Sequence, residues 1–215
     1  MTTKTTSKKT SKTTTPAAAE INGATIALVF VASCETRKAD AEKCKTIDAD
    51  INAFKDVSFS RQIDKCIEKG LFTTEQMQTL STDLAVTQES DNRFIGLKVI
   101  KKIRDAIEAL ALDQKSDFDK YTNSILYNLC KNQELSNKSA LVSLSRSVEY
   151  LETEQVADIR KLIDCSPSTA STQASSSRMM LRALGVANVT KRKNGDTITM
   201  QENDTARAIV AMYQA

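Results

Sequence analysis

Asp91 to Leu112 read DNRFIGLKVIKKIRDAIEALAL, and their apolar residues keep a helical rhythm through Phe94, Leu97, Ile100, Ile103, Ile107, Leu110 and Ala111. Spacings of three and four put these side chains on one stripe, as in a helix that buries one face. Asp91 stands where an N-cap belongs, and Asp113 where the pattern stops. Lys98, Lys101, Lys102 and Arg104 decorate the segment, but Asp105 and Glu108 follow closely. The cations therefore read as a solvated, charge-paired face rather than a stripe for nucleic acid.

The same periodicity extends outward in both directions. Toward the N-terminus, Cys44, Ile47, Ile51 and Phe54 form an amphipathic helix, Arg61 to Lys69 another that stops at Gly70, and Met77, Leu80 and Leu84 a third that Thr73 or Thr74 caps. Toward the C-terminus, Phe118, Tyr121, Ile125 and Leu129 mark a helix. Leu141, Leu144 and Val148 mark one capped by Asn137, and Val156, Ile159, Leu162 and Ile163 one capped by Thr153. The apolar run Ala24 to Ala32 carries the β-branched residues Thr25, Ile26, Val29 and Val31, which suit helix or strand; with no clear partner strands following, helix is expected. Five Gly and two Pro in 215 residues are few turn-formers for an all-β chain, and 40% apolar content suffices for a core.

Charge is unevenly distributed. Residues 1–15 hold Lys4, Lys8, Lys9 and Lys12 and no acid. Residues 16–165 hold 20 Lys/Arg against 24 Asp/Glu, and residues 166–215 hold six against three. The chain is basic at both ends and acidic between, a pattern that suits a polyanionic partner and also serves solubility. The tail MTTKTTSKKTSKTTT has no apolar residue after Met1 and is expected to be disordered.

Several chemistries find no support. The chain has no His, no phosphate-binding Gly loop and no G-x-S-x-G elbow, so a non-enzyme is expected. Cys34, Cys44, Cys66, Cys130 and Cys165 are widely spaced without a C-x-x-C pair, so no metal and no cofactor is expected and the thiols read as reduced and partly buried. Asp48, Asp50 and Asn52 imitate the start of an EF-hand loop, but Ala53 and Phe59 occupy the Gly and Glu positions. Val31-Ala32-Ser33-Cys34 looks like a lipobox. Pro16, Glu20 and Asn22 interrupt the signal pattern before it, and the apolar run is too short to span a bilayer.

The segment with most to say about function begins after Ile163. Eight of the twelve residues from Ser166 to Ser177 are Ser or Thr, which reads as a linker on composition alone. Helical period over Arg178 to Leu184, with Gly185 as a left-handed cap and Val186 beside it, favours a helix over 169–184. Its inward face is Ala174, Met180 or Leu181, and Leu184; Ser171, Ser175, Arg178 and Arg182 line an outer face. Val189–Lys193 and Thr197–Met200 then flank Asn194-Gly195, a strong hairpin signal because both central residues of a type I′ turn need positive φ. Asn203 or Asp204 caps a last helix.

Helix 153–164, turn, helix 169–184, basic hairpin 188–200 and closing helix together resemble the winged helix-turn-helix superfamily of DNA-binding domains, over about residues 138–202. The resemblance implies that the second helix enters the major groove and that the hairpin, the wing, touches backbone or minor groove. Ser171, Thr172, Ser175, Arg178 and Arg182 would then face the groove and Lys191, Arg192 and Lys193 contact phosphate, with Lys4, Lys8, Lys9 and Lys12 as auxiliary contacts. The turn Cys165-Ser166-Pro167-Ser168 departs from the usual pattern, being longer and lacking Gly, which puts the interhelical angle in doubt.

The expected fold is mainly α: a helical bundle with a C-terminal helix-turn-helix plus β-hairpin unit, divided into a tail (1–16), a helical domain (17–136) and a winged-helix-like domain (137–215). The expected function is non-catalytic DNA binding in the cytoplasm, without a membrane role, by a viral or plasmid-borne regulator or a replication or transcription accessory. One alternative is an assembly protein, a virion component or adaptor, that binds protein through its acidic body or forms homo-oligomers. Another is a bacterial lipoprotein anchored at Cys34.

Overall fold

The helix at the centre of the chain runs from Leu97 to Leu112 and buries Val99, Ile100, Ile103, Ala106, Ile107, Ala109, Leu110 and Ala111. It starts later than its periodicity suggests. Asp91 caps a turn instead, accepting from the Arg93 amide at 2.8 Å, and Gly96 takes the N-cap position. The stop at Asp113 is as expected, with φ of 56°. The computed structural model describes residues 21–38, 46–89, 91, 93–145, 159–193 and 195–214. The expected disordered tail, 1–16, and Lys4, Lys8, Lys9 and Lys12 lie outside the described residues.

Among the described residues the α-helices, in chain order, are α1 (Gly23–Arg37), α2 (Ile47–Lys55), α3 (Val57–Glu68), α4 (Thr74–Leu84), α5 (Leu97–Leu112), α6 (Lys120–Asn132), α7 (Asn137–Val142), α8 (Pro167–Ala183) and α9 (Asp204–Gln214). Three strands, β1 (Glu134–Ser136), β2 (Ala187–Arg192) and β3 (Gly195–Met200), form an antiparallel sheet in the order β1-β3-β2. The fold is mainly helical with a small sheet in its C-terminal part. Among the described residues no helix is long and apolar enough to cross a membrane.

The run at Ala24–Ala32 is helical. Asn22 and Thr25 form a reciprocal capping box at its start, and Ile26, Ala27, Phe30, Val31 and Cys34 turn inward. Phe30 meets Phe54 of α2 and Phe59 of α3 with ring centroids 5.1 and 5.2 Å away, which locks the first three helices around one aromatic cluster. Gly23 permits the approach of α1 to α3: a Cβ there would lie 2.0 Å from the Ser60 carbonyl oxygen. Cys34 lies within α1, 1% exposed.

The C-terminal half brings corrections. Residues 159–164, assigned by periodicity to a helix over 153–164, are not helical; 153–158 lie outside the described residues. The backbone of 159–165 is held by other partners. Asn128 of α6 donates to the Arg160 carbonyl at 2.8 Å and accepts from its amide at 2.9 Å, and the Cys165 amide reaches the Leu144 carbonyl at 3.2 Å. The helix capped by Asn137 is shorter than expected and is capped instead by Ser136, whose hydroxyl accepts from the Ser139 amide. β1 is unexpected, since three residues are too few to show alternation. It pairs Leu135 with Ile198, both buried, and so ties α6 and α7 to the hairpin.

One cluster of buried side chains runs from Ile26 of α1 to Ile209 of α9. The expected boundary between 17–136 and 137–215 falls between β1 and α7, inside the unit that shares the sheet.

Two thiols in this core make stability sensitive to alkali. Burial pushes Cys66 and Cys130 up from 9.0 to about 12. Between those values the unfolded state has lost protons that the folded state retains, so stability falls as pH rises, by up to about 1.4 kcal/mol per pH unit per thiol. Burial raises the Tyr213 phenol, which acts in the same sense above pH 10, whereas burial lowers Lys102, which acts in the opposite sense. Urea midpoints are expected to drop between pH 9 and 11, and the Cys66→Ala/Cys130→Ala pair to flatten that limb. An unchanged slope in the double variant would remove the thiols as its cause.

Candidate nucleic-acid interface

The Ser-rich segment folds as α8 because both ends are chemically defined and its inward positions are small. Ser166 caps the start, accepting from the Thr169 amide at 3.3 Å, and Pro167 follows in the first turn, where its missing N–H costs nothing. At the other end Gly185 has φ of +67°. The Val186 amide reaches the Leu181 carbonyl at 2.8 Å and the Gly185 amide reaches Arg182 at 3.0 Å, a Schellman closure with Val186 buried. Ala170, Ala174 and Ser177 face inward with Met180 and Leu181, so α8 packs on α5 and α6.

A buried polar chain fixes that packing. The Ser177 hydroxyl lies 2.9 Å from that of Thr122 on α6, and Lys102 of α5 donates to the Thr122 hydroxyl at 3.2 Å and to Asp119 at 2.6 Å. Asp119 also caps α6, accepting from the Tyr121 and Thr122 amides. Burial lowers the Lys102 pKa, and Asp119 opposes that shift. Of the four cations expected to be solvated along α5, Lys102 is thus buried, Lys101 pairs with Asp50 at 2.8 Å, and Arg104 pairs with Asp105 at 2.9 Å. Lys98 alone among them is exposed.

With α8 anchored, Ser171, Thr172, Ser175 and Arg182 are exposed and Arg178 is half-buried. Strand alternation turns Val189 and Lys191 of β2 to the same side. A cleft of about 180 Å³ between α8 and the hairpin is lined by Ser175, Arg178, Met179, Arg182, Val189, Lys191 and Asp196. It brings together four of the expected residues: Ser175, Arg178, Arg182 and Lys191. Lys193 is exposed at the turn. Arg192 belongs to β2, and its side chain lies outside the described residues, as does Asn194; Gly195 has a positive φ, +107°, but pairs with Arg192 as the first residue of β3, one residue away from the turn position expected of it.

Two of the expected residues have partners within the protein. Arg178 is engaged, its guanidinium 3.0 Å from the Asp196 carboxylate, and Thr172 donates its hydroxyl proton to the Ser168 carbonyl at 3.0 Å, as helical Thr side chains do. Thr172 lies outside the cleft. It lines a shallow recess of about 280 Å³ with Lys98, Ser168, Thr169 and Gln173, where the start of α5 meets the start of α8. Arg182 belongs to a wider charge cluster with Arg93 and Asp83. Burial raises the Asp83 carboxyl, and the two cations pull it back.

Lys98 and Asp196 are the residues that sequence reading missed. Nothing local to Lys98 reveals the recess, which is a tertiary contact. A turn centred on Asn194-Gly195 would pair Lys193 with Asp196; the observed register is shifted by one residue, pairing Arg192 with Gly195 and Lys191 with Asp196, so sequence counting misplaces this acid. Among the described residues no group of three His, Cys, Asp or Glu could hold a metal ion. The chain matches no protein-family model, and no curated protein or solved structure matches it.

The anchoring chain predicts a graded response. Lys102→Ala should destabilise by about 3 kcal/mol, because it strips a buried carboxylate of its cation while leaving Asp119 its two amides. Lys102→Met, which fills the volume, should cost less, and urea unfolding of the two variants gives the comparison. Equal losses would mean that the lost charge rather than the lost volume dominates at this position.

Proposed function

We propose that the protein binds double-stranded DNA without catalysing a reaction, presenting α8 and the β2–β3 hairpin as a winged helix-turn-helix surface. The cleft between them carries the proposal. Arg178, Arg182 and Lys191 line it against a single carboxylate, Asp196, with the Ser175 hydroxyl among them and Lys193 exposed at the hairpin's end.

Chain order supports the reading. Among the described residues α6, β1, α7, α8, β2 and β3 come in that order along the chain, and the first strand completes the sheet beside β3. Residues 159–164 are not helical, and 153–158 lie outside the described residues. Exposed hydroxyls and Lys side chains suit phosphate contacts, and Arg182 has the reach and fork geometry to read a base edge. Lys98, beside the start of α8, adds a cation on the flank away from the hairpin.

Fluorescence anisotropy on a random-sequence duplex across a salt series tests this. Lys191→Ala and Lys193→Ala should each lower the salt slope by about 0.9, the share of one neutralised phosphate, and weaken binding alike on all sequences. Absence of binding at low salt would overturn the proposal. Stable higher oligomers by light scattering, without a response to DNA, would favour the assembly alternative.

A further inference from the structure

Asp196 is the one acid in a cleft whose other charged residues are Arg178, Arg182 and Lys191. Its Oδ2 lies 3.0 Å from Arg178 Nη1, and the hairpin register sets it directly opposite Lys191. The Arg178 side chain is 16% exposed and that of Asp196 32%, so the pair is only partly screened by water. A carboxylate so placed has two physical effects. It occupies a guanidinium that would otherwise meet a phosphate, and it repels any phosphate that enters the cleft.

Resting on the DNA-binding reading above, we infer that Asp196 is the specificity-determining residue of the cleft, making it select base edges over phosphate backbone. A phosphate brings only acceptors, so it faces the carboxylate unrelieved. A major-groove edge is different: the exocyclic amino groups of cytosine and adenine are donors that a carboxylate accepts, and guanine offers the paired acceptors an arginine takes. An edge with both features satisfies Asp196 while freeing Arg178. Backbone affinity then falls to Lys191, Lys193 and the outlying cations, and the Arg178–Asp196 pair contributes discrimination.

The test uses the full chain and two probes, a random-sequence duplex and a duplex that the wild-type protein enriches from a random pool. Asp196→Asn keeps the shape of the side chain and removes its charge. It should tighten binding to the random duplex, raise the salt slope by about 0.9 as Arg178 becomes a phosphate contact, and cut the selected-to-random affinity ratio by about tenfold. The gain should vanish in Arg178→Gln/Asp196→Asn, whereas a general loss of one negative charge would persist in that background.

If Lys191→Ala weakens binding while Asp196→Asn leaves affinity, slope and ratio unchanged, the inference fails and the DNA-binding reading stands. Persistence of the gain in the double variant, or a pool that yields no enriched sequence, also overturns it. If the wild-type protein binds no duplex at all, the reading and the inference fall together.

Discussion

An ammonium group with almost no access to water has to be matched by partners inside the protein. Lys102, 4% exposed, finds them in Asp119 and Thr122, and through Thr122 the chain of contacts continues to Ser177. Three helices, the successive α5 and α6 and the sequence-distant α8, are tied by one line of polar atoms. Such a chain contributes little net stability, because desolvating the charge offsets much of the attraction. It discriminates strongly among arrangements, since any rotation of α8 would leave Ser177 and Thr122 without each other in a dry interior. On this account the network acts as a register pin for α8 more than as a source of stability.

Fixing that register decides what α8 offers to solvent. With Ser177 inward, the small side chains Ala170 and Ala174 follow on the same stripe and let α8 settle on α5 and α6. Ser171, Ser175 and Arg182 are thereby turned outward, and Arg178 reaches Asp196. The hairpin is held independently. Leu135 of β1 pairs with Ile198 at the sheet's centre, and Asn203 bridges the end of α8 to the start of α9, donating to the Gly185 carbonyl at 2.7 Å and accepting from the Ala206 amide at 2.9 Å. Both walls of the cleft are therefore set by buried or backbone contacts.

The helical body was legible wherever spacing carried the information. Met77, Leu80 and Leu84 are all fully buried, as their period implied, Gly185 marked a helix end, and Asn194-Gly195 marked a hairpin whose register lies one residue from the one that pair implies. Failures occurred where distant contacts overrode a local pattern. The periodicity through Ile159 and Ile163 matched a helix, but the backbone there bonds to Asn128 and Leu144 instead. Lys102 had the composition of a solvated face and became the most buried cation on α5, because the acid that suits it lies on the cap of the next helix. Of the candidate site, the helix and hairpin were readable. The Arg178–Asp196 pair and the recess at Lys98 depend on tertiary approach that no short window contains.

The charge map gives the cleft a meaning beyond its few side chains. Residues 16–165 carry an excess of acid, whereas residues 166–215 carry an excess of base. Potentials from exposed charges fade over about 8 Å at physiological ionic strength, so the cations of α8 and the hairpin act mainly on what touches that face. On the proposed function, that excess of base would draw a polyanion toward α8 and the hairpin. Asp196 then acts at shorter range and with the opposite sign. On the proposed function, attraction would bring the polyanion to the cleft, and the carboxylate inside would favour a surface that offers a donor. A surface built this way would bind DNA weakly by charge alone and more tightly where the sequence satisfies Asp196 and Arg178 together.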